Sequence, residues 1–368
     1  MTYIKQEKKR IASLDALRGF VMFWIIGGNY LFHRLASTTD WAFFNVISTQ
    51  LTHVQWDGFH AYDLIFPLFM FTSGVSLTLS IGNRDITPVF RLQFLIKAAK
   101  RAAIFVVLGV IYNFSWSFDP DRFRLASVLG QIGIAYLFSA ILFLYIRPLT
   151  GRLIGLAAIL LVVAILQLAI PVPGYGAGVM TPEGIINGWI DRTYLPGLLY
   201  GGTFDPEGIL CIFSSTSVTF IGALAGSVFL KNQHHNPLKI IIFCLMSGTI
   251  LIILSLMMED YYPMIKAAWT VPFNLLVAGL SLLFLAVFYG IIDVLHYQRW
   301  AAFFTVIGMN SIAIYIGARF LSSPIFKMTL SGGPFDGPYL ALMVIVMVIF
   351  LEWLVLRYCY QKGWFLKV

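Results

Sequence analysis

Residues 53–81 read HVQWDGFHAYDLIFPLFMFTSGVSLTLSI, and the change of character within this stretch decides the fold. From Leu64 to Ile81 there is no charged side chain, and the run is long enough to cross most of a hydrocarbon layer roughly 30 Å thick as a helix. Just before it, His53, Trp56, Asp57, His60, Tyr62 and Asp63 crowd polar and titratable groups against the mouth of that helix. Such groups are costly near a bilayer and mark function by default. If residues 50–60 are helical, His53, Trp56, Asp57 and His60 fall at i, i+3, i+4 and i+7, a single stripe with two imidazoles and a carboxylate.

The rest of the chain repeats the apolar half of this pattern. Of 368 residues, 59% are apolar and 11% charged, against about 25% charged in a soluble domain, and the mean hydropathy is +0.83. Membrane-length windows centre near 19–34, 63–81, 102–117, 127–146, 153–171, 209–230, 239–258, 270–292, 302–320 and 339–356. The expected fold is therefore all-α: a polytopic membrane bundle of about ten spans, with an outer-face interfacial helix over 36–62 carrying His53. Basic residues favour cytoplasmic segments. With residues 1–18 cytoplasmic, only Arg34, Arg122, Arg124, Arg192, Lys266, Arg319 and Lys327 of the 25 basic residues fall outside, where most of the acidic residues gather. Both termini are expected in the cytoplasm. The net charge of +8 belongs to one membrane face, facing anionic lipid or an anionic ligand, so it does not signal nucleic acid. Cys211, Cys244 and Cys359 are too few and scattered for a disulfide framework. The basic start leads into an apolar segment without a small-residue cleavage site, so a retained helix is expected rather than a cleaved signal.

No repeat or soluble domain interrupts residues 1–368, taken as a single transmembrane domain. Ser13 and Asp15 suit a helix start. Asn29 follows two glycines near the outer end of the first span and needs a partner. In the basic segment 82–101, Lys97 and Arg101 share a helical face, as do Lys97 and Lys100; they suit phosphate, although such loops more often only set orientation. Arg124 with Asp121 could be only a loop ion pair, the plainer alternative to a site role. The long outer loop 172–208 ends in Asp205 and Glu207, which could attract a cationic amino sugar or simply open a helix. Loops of that length are usually functional or mobile.

RIASLDALRGF (10–20), GGNY (27–30), residues 53–76, FDPEG (204–208) and GMNSIAIYI (308–316) together resemble the heparan-alpha-glucosaminide N-acetyltransferase family and its bacterial relatives, within the wider transmembrane acyltransferases. The histidine followed by W-x-G and D-L-I-F-P is the most specific part; SLDALRG is shared more widely. The resemblance implies acetyl transfer from cytosolic acetyl-CoA, through the membrane, to the amine of a terminal glucosamine, by a homodimer. It implies that His53 is catalytic, accompanied by Asn29 and by Asp63 at the opening of the next helix. Eukaryotic members carry an additional luminal domain and first span, so ten spans are expected here. Where relatives read R-x-x-G-V-L-Q-R, this chain has RLASVLGQ from Arg124, placing Gln131 at the second arginine and putting donor or acceptor contacts there in question. Asp57 stands where animal members commonly have asparagine.

Acetylating an amine requires a neutral nitrogen, a thioester held beside it, and acceptors for the proton and the developing oxyanion. His53 is a candidate general base or acetyl carrier, Asp57 could orient its ring, and Asn29 could donate to the carbonyl oxygen. Trp56, His60, Arg124, Asp205 and Glu207 are candidate acceptor contacts; Lys97, Lys100, Arg101 and Gln131 are candidate acetyl-CoA contacts. His53, Asp57 and His60 lack the fourth ligand a metal site would want. Two other functions compete: O-acetylation of an envelope polysaccharide, and amino-sugar transport without chemistry. The half-repeats common in transporters are not visible.

Overall fold

A computed structural model describes residues 11–39, 41–114, 119, 122–232, 236–330 and 337–366. The described residues form an all-helical bundle. In chain order the helices are α1 Ala12–Phe23, α2 Asn29–Thr39, α3 Ala42–Gln50, α4 Ile65–Ile81, α5 Pro88–Phe114, α6 Val128–Tyr145, α7 Leu149–Ala169, α8 Ile186–Tyr194, α9 Ile209–Asn232, α10 Pro237–Met258, α11 Val271–Tyr289, α12 Ala301–Met309, α13 Ser311–Phe320, α14 Ser322–Leu330 and α15 Pro338–Lys362. Among the described residues, seven helical segments are long and apolar enough to cross a membrane: 61–81, 128–145, 149–169, 209–232, 237–258, 271–294 and 339–362. They match seven expected windows to within a few residues, apart from the longer C-terminal end of the last. An eighth window, 302–320, is the pair α12 and α13, bent by 79° at Asn310. The window 19–34 falls on α1–α2, interrupted by a π-turn at Trp24–Gly28, and the described part of 102–117 on the C-terminal half of α5.

Lipid offers no apolar driving force between helices, so close backbone approach has to hold them together. Glycine supplies it. A Cβ added at Gly74 of α4 would stand 1.9 Å from the Thr219 carbonyl oxygen of α9, and one at Gly222 would stand 2.1 Å from that of Phe71. These two helices form the buried centre. Gly19 and Gly308 join α1 to α12 in the same way, as do Gly248 and Gly279 for α10 and α11. By contrast, α7 buries only Ile159, Val163 and Gln167, as a lipid-facing helix should. The break at Asn310 is satisfied from outside the helix. Its Nδ2 donates to the Trp364 carbonyl (2.9 Å) and its Oδ1 accepts the Leu366 N–H (3.0 Å).

The segment 36–62 differs from the expected single interfacial helix. α3 buries none of its residues and leaves Trp41, Phe43 and Val46 exposed, as an interfacial helix would, but it ends at Gln50. Residues 51–60 are not helical. The Gly58 N–H donates to the Met264 carbonyl (2.9 Å), Asp57 bridges Ile265 in antiparallel fashion, and Gly58 adopts φ +108°. Extended pairing with the loop between α10 and α11 meets these backbone groups' needs, which a continuing helix would have met internally. The stripe of His53, Trp56, Asp57 and His60 therefore does not form.

Candidate active site

Asp63 lies in a 3-10 turn, Ala61–Leu64, that opens α4, and its carboxylate organises the loop before it. Oδ2 accepts the His60 N–H (3.0 Å) and the more distant Val54 N–H (3.4 Å), while Oδ1 lies 2.7 Å from His53 Nδ1. The carboxylate is fully buried, whereas the His53 side chain is 54% exposed. The ring is thus anchored at Nδ1 and open elsewhere. The carboxylate at His53 is Asp63 and not Asp57, which is exposed in the extended segment.

A third group completes the cluster. Lys266 Nζ lies 3.0 Å from Asp63 Oδ1 and 2.7 Å from His53 Nδ1. Burial lowers the His53 pKa below the ordinary imidazole value; the bond to Asp63 opposes this, and the Lys266 charge pushes it down further. Burial also lowers the Lys266 pKa, against the pull of Asp63. The Tyr62 ring sits against His53, with centroids 4.7 Å apart, and its hydroxyl accepts from Asn29 Nδ2 at 3.2 Å. Tyr62 therefore links Asn29, the first residue of α2, to the imidazole.

Lys266 is held by a buried polar network beneath its turn. Gln167 and Asn187 side-chain amides both donate to the Ala268 carbonyl (2.9 and 3.0 Å), and Gln167 Nε2 also donates to Asn187 Oδ1 (2.8 Å). The Tyr262 hydroxyl donates to Gln167 Oε1, and Cys211 Sγ donates to the Ala267 carbonyl at 3.4 Å. Ser214 Oγ donates to the Trp269 carbonyl at 2.6 Å. Trp269 itself adopts φ 48°, ψ 50°, a left-handed conformation that is unusual for a bulky residue. Its indole N–H donates to the Pro206 carbonyl (3.1 Å) and its ring packs edge-on to Phe66.

Asp121, weighed as a loop partner for Arg124, lies outside the described residues. Arg124 reaches the end of the long loop 172–208. Nε and Nη2 bind Asp205 at 2.7 and 2.6 Å, Nη2 also binds Glu207, and the guanidinium lies 5.0 Å from the Tyr200 ring centroid. Burial would lower the Arg124 pKa, but the Asp205 bond and the Glu207 charge outweigh it and hold the guanidinium well above its usual range. Burial raises the Glu207 pKa against the Arg124 charge. Asp191 caps α9 by accepting the Ile209 N–H (2.9 Å), and burial pushes its pKa up to about 6.

The other expected site residues scatter. Trp56 donates to the Met180 carbonyl (2.7 Å) and packs edge-on to Phe204, docking the long loop beside His53. The His60 ring faces the Thr52 carbonyl at 3.2 Å, as a local support of the loop. Lys97 and Lys100 are exposed on α5, whereas the Arg101 guanidinium lies 4.6 Å from the Tyr136 ring centroid and 5.2 Å from that of Phe105. Gln131 is fully buried and donates to the Cys211 carbonyl at 3.3 Å. An apolar cavity of about 40 Å³ lies between α1, α4, α6 and α13, lined by Met22, Phe66, Phe69, Ile132, Ile312 and Tyr315 among others. Sequence reasoning missed Lys266 as a site residue; its one signal was a lysine on the side where basic residues are sparse. Away from this cluster, Arg18 Nη2 donates to Ser76 and reaches the Thr72 carbonyl (3.4 Å) of α4.

A profile described as heparan-alpha-glucosaminide N-acetyltransferase, catalytic, matches residues 10–196, slightly more than half of the chain and including Asn29, His53, Asp63 and Arg124. This chain belongs to the heparan-alpha-glucosaminide N-acetyltransferase family. The human protein named heparan-alpha-glucosaminide N-acetyltransferase is 26% identical to it over 361 residues, covering 84% of this chain and 52% of the human one. The mouse protein of that name is 26% identical over 372 residues, covering 87% and 55%. The chain thus spans about half the length of these relatives of the heparan-alpha-glucosaminide N-acetyltransferase family, and Lys266, Asp205 and Glu207 lie beyond the residues that the profile matches.

Proposed function

We propose that this protein is a transmembrane N-acetyltransferase that moves acetyl from cytosolic acetyl-CoA to the amine of a glucosamine-type sugar on the opposite face. The observation that carries this reading is the half-exposed His53 ring tied at Nδ1 to the buried Asp63 carboxylate, in a member of a family named for that transfer. The acceptor arrives as an ammonium and must lose a proton before it can attack. His53 Nε2 takes that proton and releases it to water, the neutral amine nitrogen bonds to the thioester carbon, His53 Nε2 takes the second proton this nitrogen loses in becoming an amide, the C–S bond breaks, and the imidazolium gives that proton to the departing thiolate. His53 as a transient acetyl carrier needs the same free Nε2. Asn29, reached through Tyr62, supplies a donor toward the carbonyl oxygen as negative charge develops there. Arg18 and Arg101, at the opposite end of α1 and on α5, suit the donor's phosphates. The apolar cavity lined by Met22, Phe66 and Tyr315 suits the small acetyl end of its arm. Trp56 and the cluster of Arg124, Asp205 and Glu207 hold the long loop on the acceptor's approach to His53.

In this reading residues 1–368 work as one domain, in a bacterial plasma membrane with both termini cytoplasmic, as a homodimer. Purified protein should convert glucosamine, with radiolabelled acetyl-CoA, to labelled N-acetylglucosamine, and His53→Ala should lose the activity by more than about a hundredfold, the low end of what a general base contributes, while keeping its elution volume in detergent. Label transferred to N-acetylglucosamine but not to glucosamine would indicate O-acetylation. Sugar uptake into vesicles without acetyl-CoA and unaffected by His53→Ala would indicate a permease. Because the reaction needs neutral imidazole and the His53 pKa is lowered, kcat/KM should hold down to about pH 6.5, the free histidine value, and fall only below it.

A further inference from the structure

His53 Nδ1, Asp63 Oδ1 and Lys266 Nζ form a triangle with sides of 2.7, 2.7 and 3.0 Å. Such a triangle holds few protons. If Nδ1 carries its hydrogen it donates to Asp63, and Lys266 then donates to the same carboxylate oxygen while Nε2 keeps a lone pair. With Lys266 absent, the carboxylate would instead face the ring alone, and a carboxylate beside an imidazole favours the charged imidazolium. An imidazolium can neither accept a proton nor attack a thioester. The groups facing His53 are Asp63 and Tyr62 from the turn opening α4, Lys266 from the turn before α11, and His60 from its own loop; among them Lys266 is the cation-forming group in direct contact with Asp63, at 3.0 Å.

We propose that Lys266 is a positioning residue for His53: its ammonium neutralises Asp63 within the triangle, so that the ring is held uncharged with Nε2 left for the acceptor. The chain supports this placement at some cost. Trp269 is held left-handed, a conformation that persists in a bulky residue only where its surroundings over-determine it. Here they do: Gln167, Asn187, Cys211 and Ser214 all donate to carbonyls of residues 267–269. Four side chains from three helices, α7, α8 and α9, converge on the turn that carries one lysine.

The inference rests on the proposed role of His53, so its test needs one readout that does not require activity. Histidine labelled with 13C at Cε1 can be titrated by NMR in detergent, the His53 resonance being assigned as the one lost in His53→Gln. In Lys266→Met the His53 pKa should rise by at least about 1 unit, the low end of what an opposite charge left without its counter-ion produces, and Lys266→Arg should restore it toward the parent value. The acid limb of kcat/KM should move up with it, so that Lys266→Met loses more activity at pH 6 than at pH 8.5. An unshifted His53 resonance in Lys266→Met, or an activity loss equal at all pH values, would mean that Lys266 only supports the loop and would overturn the proposal. A protein that shows the shift but transfers no acetyl group would leave the Lys266 assignment standing and remove the proposed function instead.

Discussion

Arg124 is where a single substitution should be felt most in stability. It satisfies Asp205, which is fully buried, and Glu207, which is nearly so. Breaking a buried pair from one side strands the charge that is left and typically costs about 3–5 kcal/mol. Arg124→Met should therefore lower the thermal midpoint in detergent sharply, and Arg124→Lys, which keeps the charge but not the planar fork, should recover part of the loss; an unchanged midpoint in Arg124→Met would mean that the carboxylates find other partners. At this scale the chain was unevenly readable. Asp63 was recognisable because its position before LIFP makes it both a helix-opening group and a neighbour of His53. Asp57 was preferred as the ring's partner on helical spacing, which fails because Gly58 takes positive φ and the segment pairs with Met264 and Ile265. Lys266 stands 213 positions from His53, and no local pattern marks a contact at that separation. Arg124 was visible, but Asp205 and Glu207 stand 81 and 83 positions from it, and no local pattern marks those contacts.

Among the elements, the seam between α4 and α9 carries the architecture, since a side chain at Gly74 or Gly222 meets the partner's backbone rather than a movable side chain. Overpacking a well-packed interior typically costs about 1–3 kcal/mol, and a clash with backbone lies at or above the upper end. Gly74→Val should lower the thermal midpoint, whereas Gly317→Ala, which meets nothing within 4 Å, should leave it unchanged; equal midpoints for the two would argue against this seam. The network beneath Lys266 gives a second test. Asn187→Ala leaves the Gln167 amide and the Ala268 carbonyl each with one partner fewer, a loss of about 1–3 kcal/mol if either is left unsatisfied, and it should weaken activity by loosening the turn. Spans were readable because a long apolar run has few alternatives to a membrane helix. The bend at Asn310 was not, because the groups that satisfy it come from residues 364–366 at the far end of the chain.

For the whole molecule, the charge distribution sets a direction. Lys97 and Lys100 are exposed on the basic side, and Tyr261, 88% exposed, lies in the loop between α10 and α11 that carries Lys266. With Cys359, the half-buried thiol, replaced by serine, Tyr261→Cys should react with an impermeant maleimide from outside intact cells and Lys97→Cys only after permeabilisation; the reverse pattern would invert the proposed orientation. The most direct test joins this direction to the chemistry. Protein should be reconstituted into sealed vesicles, with glucosamine on the Tyr261 side and radiolabelled acetyl-CoA on the Lys97 side only. Labelled N-acetylglucosamine should then appear on the glucosamine side with wild-type protein and not with His53→Ala. Product formed equally well by His53→Ala, or formed only when donor and acceptor share the Tyr261 side, would contradict transfer across the membrane at His53.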